Sequence, residues 1–322
     1  MTLLDAARTS TTPPAPALPT CSALRRALGV DTAGSASTIR SWLLLEHPGA
    51  WSDTARDDAF AAALPDDRHD LLQHLWETAW LRPLVVRRPG RQGGRPAAEP
   101  CLLIGSTLGD RPWLERLPAR ALTSLDLGAV AAGVPGHGEP VDGPLFAVCT
   151  NGAVDRCCAV NGRPLVAALA AAHPERTWEV SHVGGCRFSA NLLVLPDGVL
   201  HGGATPSDGL RIAQAALAGR LDLKGLRGRT GSSAFAATAE VGLRRRLDLT
   251  GLADVEVLSQ DPHDDVVDGE EGPEPAGADV VLRAGADHWR VAVRVQELGP
   301  ATSVCDGTEP VVTTTVTAVH PA

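Results

Sequence analysis

The chain has 322 residues, of which 44% are hydrophobic and 21% charged, a balance typical of a globular protein long enough for two or three cores. Its formal net charge of -9 at pH 7 argues against a nucleic-acid-binding surface, which needs a basic excess on one face. No apolar run is long enough to span a bilayer and the N-terminus has no apolar signal region, so we expect a cytoplasmic protein that binds neither nucleic acid nor membrane.

The first half of the chain follows a Pro/Thr-rich lead-in over residues 1–20, which we expect to be disordered. Helices are predicted at CSALRRALG (21–29) and along the Ala-rich stretch that ends near Leu81. Apolar runs next to turn residues predict three strands, WLLLE (42–46), PLVVRR (83–88) and CLLIGS (101–106). A further helix is predicted over 119–132, and together these elements give an N-terminal α/β domain over 21–139.

The second half repeats this order of elements more clearly. Strands are predicted at PLFAVC (144–149) and TWEVSH (177–182), joined by a helix over 162–173 with Pro164 in its first turn. A hairpin around the turn PDG follows over 191–203, and then a helix over 207–221 that opens with Ser or Asp as its cap. This order is close to the minimum of a thioredoxin-like fold, and the similar order in the first half favours a second, degenerate unit of the same kind.

We place the thioredoxin-like domain at 140–228 and interpret residues 229–322 as a small α+β appendage. The appendage has a predicted helix over 233–249 and predicted strands that include HWRVAVRV (288–295) and VVTTTVTAV (311–319). Between them lies an acidic Gly/Pro-rich linker over 261–279, for which we expect a solvated loop because it has too little apolar surface to bury.

Three of the seven cysteines fall within CTNGAVDRCC (149–158), a segment rich in Gly, Asn and Asp that predicts a loop. An odd number of clustered cysteines indicates metal binding or redox chemistry rather than a disulfide framework. The other cysteines lie in apolar or irregular contexts, and we interpret them as structural: Cys21, Cys101 and Cys305.

Two strand ends bring distant sulfurs together. A parallel crossover between the strands at 144–149 and 177–182 places their C-terminal ends at the same edge of the sheet. The candidate ligands at that edge are one cysteine at the end of the first strand, one of an adjacent pair, and the His and Cys of SHVGGC: Cys149, Cys158 or Cys157, His182 and Cys186. Thiolates with an imidazole suit zinc or an iron–sulfur cluster, and the wide spacing favours a two-iron cluster over the tight knuckles of structural zinc.

Other residues near these ligands have several possible roles. The backbones of Gly152, Gly184 and Gly185 are expected to approach the sulfurs closely and donate N–H groups to them. Arg187 and His201 are candidates to surround the site; the alternative for His201 is an exposed position, and for Arg187 a surface role is the favoured interpretation. Cys157 is open to three interpretations: a packed residue, a substitute ligand, or half of a vicinal disulfide with Cys158.

Competing chemistries lack their motifs. A phosphatase loop needs Arg six residues after its Cys, but Asp155 and Leu192 stand there after Cys149 and Cys186. The sequence has no Cys-x-x-Cys, no phosphate-binding loop and no Gly-x-Gly-x-x-Gly after a strand. We therefore expect a separate reductase, most simply a flavin-dependent one, to supply any electrons, and the acceptor is unknown.

The run from CTNGAVDRCC through SHVGGCRFSANLLVLPDGVLHG resembles the sucrase/ferredoxin-like family, whose members are similar to thioredoxin-like [2Fe-2S] ferredoxins. The segments CSALRRALG, WLLLEHPGAW and VRVQELGPATSVCDG extend the resemblance over most of the chain. It implies an iron–sulfur cluster held by Cys149, Cys158, His182 and the residue after HVGG. Fungal relatives have His at that last position, whereas this chain has Cys186.

The resemblance implies a one-electron carrier or a redox sensor rather than a self-contained enzyme. One imidazole in place of a thiolate removes one negative charge, so we expect a reduction potential above that of plant-type ferredoxins and below that of a centre with two His ligands. The alternative is a zinc-stabilised structural or interaction module that uses the same four ligands.

Overall fold

The computed structural model describes residues 20–90, 99–109, 111–269, 272–298 and 312–322. Within these ranges the chain is a mixed α/β structure with a large ten-stranded sheet, a four-stranded antiparallel sheet and a two-stranded ribbon. The predicted lead-in, apart from its last residue, and Cys305 lie outside the described residues. Within the same ranges, no helix combines the length and the hydropathy that crossing a membrane requires.

The first half places helices on one face of its strands. Its elements in chain order are α1 (Cys21–Ala27), β1 (Ser41–Glu46), α2 (Ala55–Ala63), α3 (Asp66–Ala79), β2 (Leu81–Arg87), β3 (Cys101–Ser106), β4 (Trp113–Pro118) and α4 (Leu127–Ala131). β1 is buried on both faces, which explains why its sequence SWLLLE is a nearly continuous apolar run. Such a run predicts a buried strand.

The second half has the same layout. Its elements are β5 (Glu139–Pro140), β6 (Leu145–Cys149), α5 (Arg156–Ala172), β7 (Thr177–Val180), β8 (Leu192–Leu195), β9 (Val199–His201), α6 (Pro206–Leu217) and β10 (Leu226–Arg229). β6 and β7 are parallel, as the crossover predicts, and β8 and β9 form the antiparallel hairpin around the predicted turn. Thr205, rather than Ser or Asp, caps α6, because its hydroxyl accepts from the Asp208 N–H while the Asp208 carboxylate accepts from the Thr205 N–H.

The strand order of the large sheet is β10-β9-β8-β6-β7-β2-β1-β3-β4-β5. The internal orders β4-β3-β1-β2 and β9-β8-β6-β7 correspond strand for strand, which confirms the predicted fold class with a thioredoxin-like unit in each half. The halves meet where β2 and β7 pair antiparallel, with Val86 opposite Val180. This pairing makes one continuous sheet of the two units, and the partly buried Arg87 forms an ion pair at 2.6 Å with the buried Glu179.

The region around 119–132 differs from the single helix predicted there. It contains a short 3₁₀ helix (Ala119–Thr123) and then α4, because Asp126 accepts a hydrogen bond from the Ala129 N–H and starts a new helix. The sequence analysis also missed β4. Its residue Glu115 is buried and accepts hydrogen bonds from the N–H groups of residues 136–138, a partnership that no local pattern indicates.

The C-terminal part packs one helix on the small antiparallel sheet. Its elements are α7 (Ala234–Leu247), β11 (Val255–Pro262), β12 (Val266–Gly269), β13 (Gly272–Pro275), β14 (Gly277–Ala284), β15 (Asp287–Glu297) and β16 (Val312–Pro321). The sheet order is β11-β14-β15-β16, and α7 contacts both this sheet and β10. The predicted loop at 261–279 instead contains strand residues, because backbone pairing of β12 with β13 orders it without apolar burial.

Gly162 controls how closely α5 approaches β6. A Cβ at this position would overlap the backbone carbonyl oxygen of Cys149, which cannot move without displacing the strand. We expect Gly162→Ala to lower the free energy of unfolding by about 1–3 kcal/mol, even though alanine is the better helix former by about 1 kcal/mol. Urea unfolding measures this. Gly242→Ala in α7 is the matched control, because its Cβ would meet only a side-chain methyl group of Val316, which can rotate away; equal effects of the two substitutions would contradict the argument.

Candidate metal centre

The first turn of α5 carries both adjacent cysteines of CTNGAVDRCC. Asp155 caps this helix: its backbone is extended, and its side chain accepts a hydrogen bond from the Cys157 N–H at 2.7 Å. The predictions that Cys157 and Cys158 lie in a loop, and that Pro164 lies in the first turn of a helix starting at 162, are therefore wrong. The Gly, Asn and Asp residues that suggested a long loop end in a helix cap, and Pro164 lies inside α5.

The four candidate ligands lie in a row at the C-terminal ends of β6 and β7. Cys149 ends β6 and is hydrogen-bonded to Cys158. The sulfur of Cys158 lies 3.3 Å from that of Cys186, which begins a short 3₁₀ helix (Cys186–Phe188) after β7. The Cys186 sulfur in turn lies 3.1 Å from Nδ1 of His182. The structure thus brings together three thiols and one imidazole from segments more than twenty residues apart.

This row is extended rather than a closed cage. A tetrahedral zinc ion has Zn–S bonds of about 2.3 Å, so any two of its sulfur ligands lie about 3.8 Å apart. Among the described residues, one group of three possible ligand atoms lies within 4.8 Å of one another, and it contains none of these four residues. The four candidate ligands therefore form an open row in which each ligand contacts its neighbour.

Cys157 turns away from this row. Its sulfur lies 3.6 Å from that of Cys21 at the start of α1, and the Cys21 sulfur lies 4.0 Å from Oδ2 of Asp155. Cys21, Asp155 and Cys157 are all buried, and their ligand atoms do lie within 4.8 Å of one another. Of the adjacent pair, Cys158 joins the other candidate ligands and Cys157 joins a second sulfur pair that the sequence analysis did not anticipate.

Comparison with known protein families matches residues 32–224 to the sucrase/ferredoxin-like family. The chain belongs to this family. The match covers most of both thioredoxin-like units and all four candidate ligands. Neither a search of curated proteins nor a search of solved structures gives a significant match.

The thiols of Cys149, Cys158 and Cys186 are protonated in the absence of metal, because the pKa of each lies above its usual value. The hydrogen bond that the Cys149 thiol donates to Cys158, together with complete burial, holds the pKa of Cys149 well above its usual value. Backbone N–H groups of Val183 and Asn151 donate to the Cys149 sulfur and partly offset this rise in pKa. A metal ion must therefore displace protons here, and it finds backbone donors already directed at one sulfur.

The glycines expected to supply those N–H donors have other contacts. Gly184 and Gly185 adopt the left-handed conformation, with φ of +86° and +69°, and their carbonyls accept hydrogen bonds from Arg227 and Asn191. Gly152 packs closely against Ala159, where a Cβ would lie 2.7 Å from the alanine Cβ. The glycines let the loops approach neighbouring side chains, and Val183 and Asn151 provide the donors.

His182 is neutral at physiological pH. Burial, followed by the positive charge of Arg82, lowers the pKa of His182 below its usual value. A neutral imidazole keeps a lone pair available for a metal ion.

A buried guanidinium lies beside the row. Arg227 is 1% exposed and donates to neutral acceptors: Ser35 Oγ at 3.0 Å, the Ser35 carbonyl, the Gly184 carbonyl at 3.1 Å and Asn191 Oδ1 at 2.8 Å. Burial and the nearby Arg187 lower the pKa of Arg227 to about 9, while Cys186 and Cys149 act in the opposite direction. Among the described residues no carboxylate forms an ion pair with Arg227, so the structure holds a buried positive charge that faces sulfur.

Two further arginines extend this cationic environment around the ring of Phe188. The guanidinium carbons of Arg25, Arg227 and Arg187 lie 4.7, 5.2 and 5.4 Å from the ring centroid. Burial lowers the pKa of Arg25 to about 10, although the Cys21 sulfur favours its charged form. Arg187, a candidate from the sequence, therefore belongs to a group of three positive charges around Phe188, close to Cys186, in a chain whose net charge is -9.

His201 does not surround the row of ligands, contrary to the sequence-based possibility. It is 1% exposed and lines a small cavity with Val194, Ile212 and Asp222, on the sheet face that packs against α5 and α6. Its Nδ1 lies 3.4 Å from the carbonyl of Lys224. The alternation of side chains along β9 directs Leu200, not His201, toward the core that contains Cys149.

This position gives His201 an effect on stability at acidic pH. Burial lowers the pKa of His201 to about 4, whereas an unfolded histidine has a pKa near 6.5. Because the unfolded chain takes up the proton first, the free energy of unfolding falls as pH decreases from about 6.5 to about 4, by up to about 3 kcal/mol. Urea unfolding at several pH values should show a weaker dependence for His201→Asn, which keeps an N–H donor. The same slope in both proteins would rule out this role.

Proposed function

We propose that this member of the sucrase/ferredoxin-like family is a [2Fe-2S] redox protein, an electron carrier or redox sensor, with Cys149, Cys158, His182 and Cys186 as the cluster ligands. The observation that carries the proposal is the extended row of three thiols and one neutral imidazole. A two-iron cluster takes four such ligands and supplies a centre that gains and loses one electron.

The surrounding residues suit an anionic group of this kind. Thiolate ligands give the cluster a negative charge that increases on reduction, and a buried negative charge needs nearby compensation. Arg227 provides it without an ion-pairing carboxylate among the described residues, and Arg25 and Arg187 add to the positive field. The N–H groups of Val183 and Asn151 donate to the Cys149 sulfur, an interaction that favours the reduced state.

Electron exchange then requires separate partners. The sequence has no nicotinamide or flavin motif, so a separate reductase, most simply a flavin-dependent one, is part of the proposal, together with an acceptor. The described cysteines are thiols, which fits a reducing compartment and supports placing the protein in the cytoplasm. Transfer and sensing use the same four ligands, and the identity of the partners distinguishes them.

The test is the visible spectrum of anaerobically purified protein, with iron, sulfide and zinc measured on the same sample. We expect a coloured protein with equal iron and sulfide that dithionite bleaches, and loss of the colour in Cys149→Ser and His182→Ala. Cys101→Ser is the matched control, because Cys101 is equally buried but lies in β3, and burial raises its pKa to about 12. A colourless protein that binds one zinc ion would replace the redox proposal with the structural module.

A further inference from the structure

A second pair of sulfurs lies next to the proposed cluster ligands and is not used by them. Cys21 and Cys157 are 136 residues apart in sequence, but their sulfurs lie 3.6 Å apart, close to van der Waals contact. Both side chains are buried, at 1% and 0% exposure. A disulfide bond of about 2.05 Å requires these sulfurs to approach by a further 1.5 Å or so, which side-chain rotation at the ends of two helices can supply.

The groups around this pair suit thiol chemistry. The Cys21 thiol donates a hydrogen bond to Oδ2 of Asp155 at 4.0 Å, so a carboxylate is in place to accept its proton. The guanidinium of Arg25, one helical turn along α1, is buried and attracts a negative charge on the Cys21 sulfur. Nε and Nη1 of Arg25 have no hydrogen-bond acceptor among the described residues. One neighbour removes the proton and another stabilises the thiolate that remains.

We propose that Cys21 and Cys157 form a peroxide-oxidisable dithiol, a second redox site that does not depend on the proposed cluster. The Cys21 proton passes to Asp155, and the thiolate attacks one oxygen of hydrogen peroxide. A sulfur–oxygen bond forms, the oxygen–oxygen bond breaks, and the departing hydroxide takes up the proton as water. Cys157 then attacks the sulfenic acid: the disulfide forms, the sulfur–oxygen bond breaks, and a second water leaves with the Cys157 proton. The two thiols lose two electrons, and peroxide gains them.

Hydrogen peroxide is the oxidant in this proposal because both sulfurs are buried and a larger oxidant cannot reach them. Neither sulfur is exposed enough for a peptide or glutathione disulfide to reach it, whereas hydrogen peroxide is close to water in size. The same residues are a less suitable metal site, because a closed structural zinc site needs four ligands and the cluster of Cys21, Asp155 and Cys157 offers three. The other carboxylate oxygen of Asp155 already caps α5 through the Cys157 N–H.

The linkage can be read directly by mass spectrometry of the full-length protein. Trypsin places Cys21 in the peptide of residues 9–25 and both Cys157 and Cys158 in the peptide of residues 157–176. After exposure to hydrogen peroxide and alkylation of the remaining thiols, we expect these two peptides to be joined in the wild type and in Cys158→Ser. We expect no joined peptide in Cys157→Ser or Cys21→Ser.

Asp155→Asn tests the proton acceptor separately, because Asn caps a helix as well as Asp does but cannot take up the proton. We expect the disulfide to form about tenfold more slowly, or slower still, in this variant. Three results would overturn the proposal. In the first, peroxide oxidises other cysteines of the wild type while Cys21 stays a thiol that is alkylated afterwards. In the second, the joined peptide still forms in Cys157→Ser. In the third, the protein binds one zinc ion per chain and Cys21→Ser loses it. None of these readouts uses the colour or iron content of the proposed cluster.

Discussion

Cys158→Ser is expected to abolish the proposed iron–sulfur cluster, whereas Cys157→Ser is expected to leave it in place. The two residues are adjacent, equally buried and in the same turn of α5, but the Cys158 sulfur lies 3.3 Å from Cys186 while the Cys157 sulfur lies 3.6 Å from Cys21. A serine hydroxyl is a poor ligand for iron in place of a thiolate. Nearly all visible absorption, iron and sulfide should therefore be lost from Cys158→Ser, and Cys157→Ser should match the wild type in all three.

The adjacent substitutions control for one another. Each replaces a fully buried sulfur by oxygen in the first turn of the same helix, so their costs in folding stability should be similar. Urea unfolding of the metal-free proteins checks this. Loss of colour from Cys157→Ser alone would assign the ligand to the other member of the pair, and equal loss from both would indicate that the helix start, not a particular sulfur, determines cluster binding.

Much of the large sheet could be predicted from sequence because its strands are continuous apolar runs. β6 is buried at every position, and the turn after β8 carries the residues Pro196, Asp197 and Gly198 that such turns prefer. β4 could not be predicted in this way. It has charged residues at its centre, and the buried Glu115 is stabilised by N–H groups of a loop more than twenty residues later.

The convergence of the candidate ligands was predictable for a topological reason. Once β6 and β7 are parallel neighbours, Cys149 and the loop that contains His182 and Cys186 must lie at the same edge of the sheet. The start of α5 was harder to predict, because Asp155 follows a run of turn-forming residues and only the structure shows its side chain capping the helix.

The electrostatic environment of the site has no local signal in the sequence. Arg227 follows Cys186 by 41 residues and lies on β10, which β9 and β8 separate from β6, while Arg25 lies on α1. Neither arginine lies in CTNGAVDRCC or SHVGGC, the two segments that contain the candidate ligands, and Cys21 is the one cysteine close to Arg25 in sequence. Only the packing of the 3₁₀ helix at Phe188 brings these charges to the sulfurs. Tertiary structure, rather than spacing, therefore determines the charge around the proposed cluster.

Arg227→Met is expected to lower the midpoint potential of the cluster. Reduction adds a negative charge near a buried guanidinium, and loss of that guanidinium makes the reduced state less stable. A unit charge about 8 Å away, at an effective dielectric constant of about 20, contributes about 2 kcal/mol. That energy corresponds to about 90 mV for a one-electron couple, and solvent reduces the effect to several tens of millivolts. Redox titration monitored by visible absorption measures the change.

Two matched substitutions separate the charge of Arg227 from its hydrogen bonds. Arg227→Lys keeps the charge but cannot reproduce the fork that reaches Ser35, Gly184 and Asn191 together, so its potential should stay closer to that of the wild type while its stability falls. Arg187→Gln removes a charge that is only half-buried, and water should screen most of its effect. If Arg227→Met and Arg187→Gln shift the potential equally, burial is not what gives Arg227 its influence. If neither substitution shifts the potential, Arg227 and Arg187 act on folding alone, because a charge coupled to the proposed cluster must change the energy of the added electron.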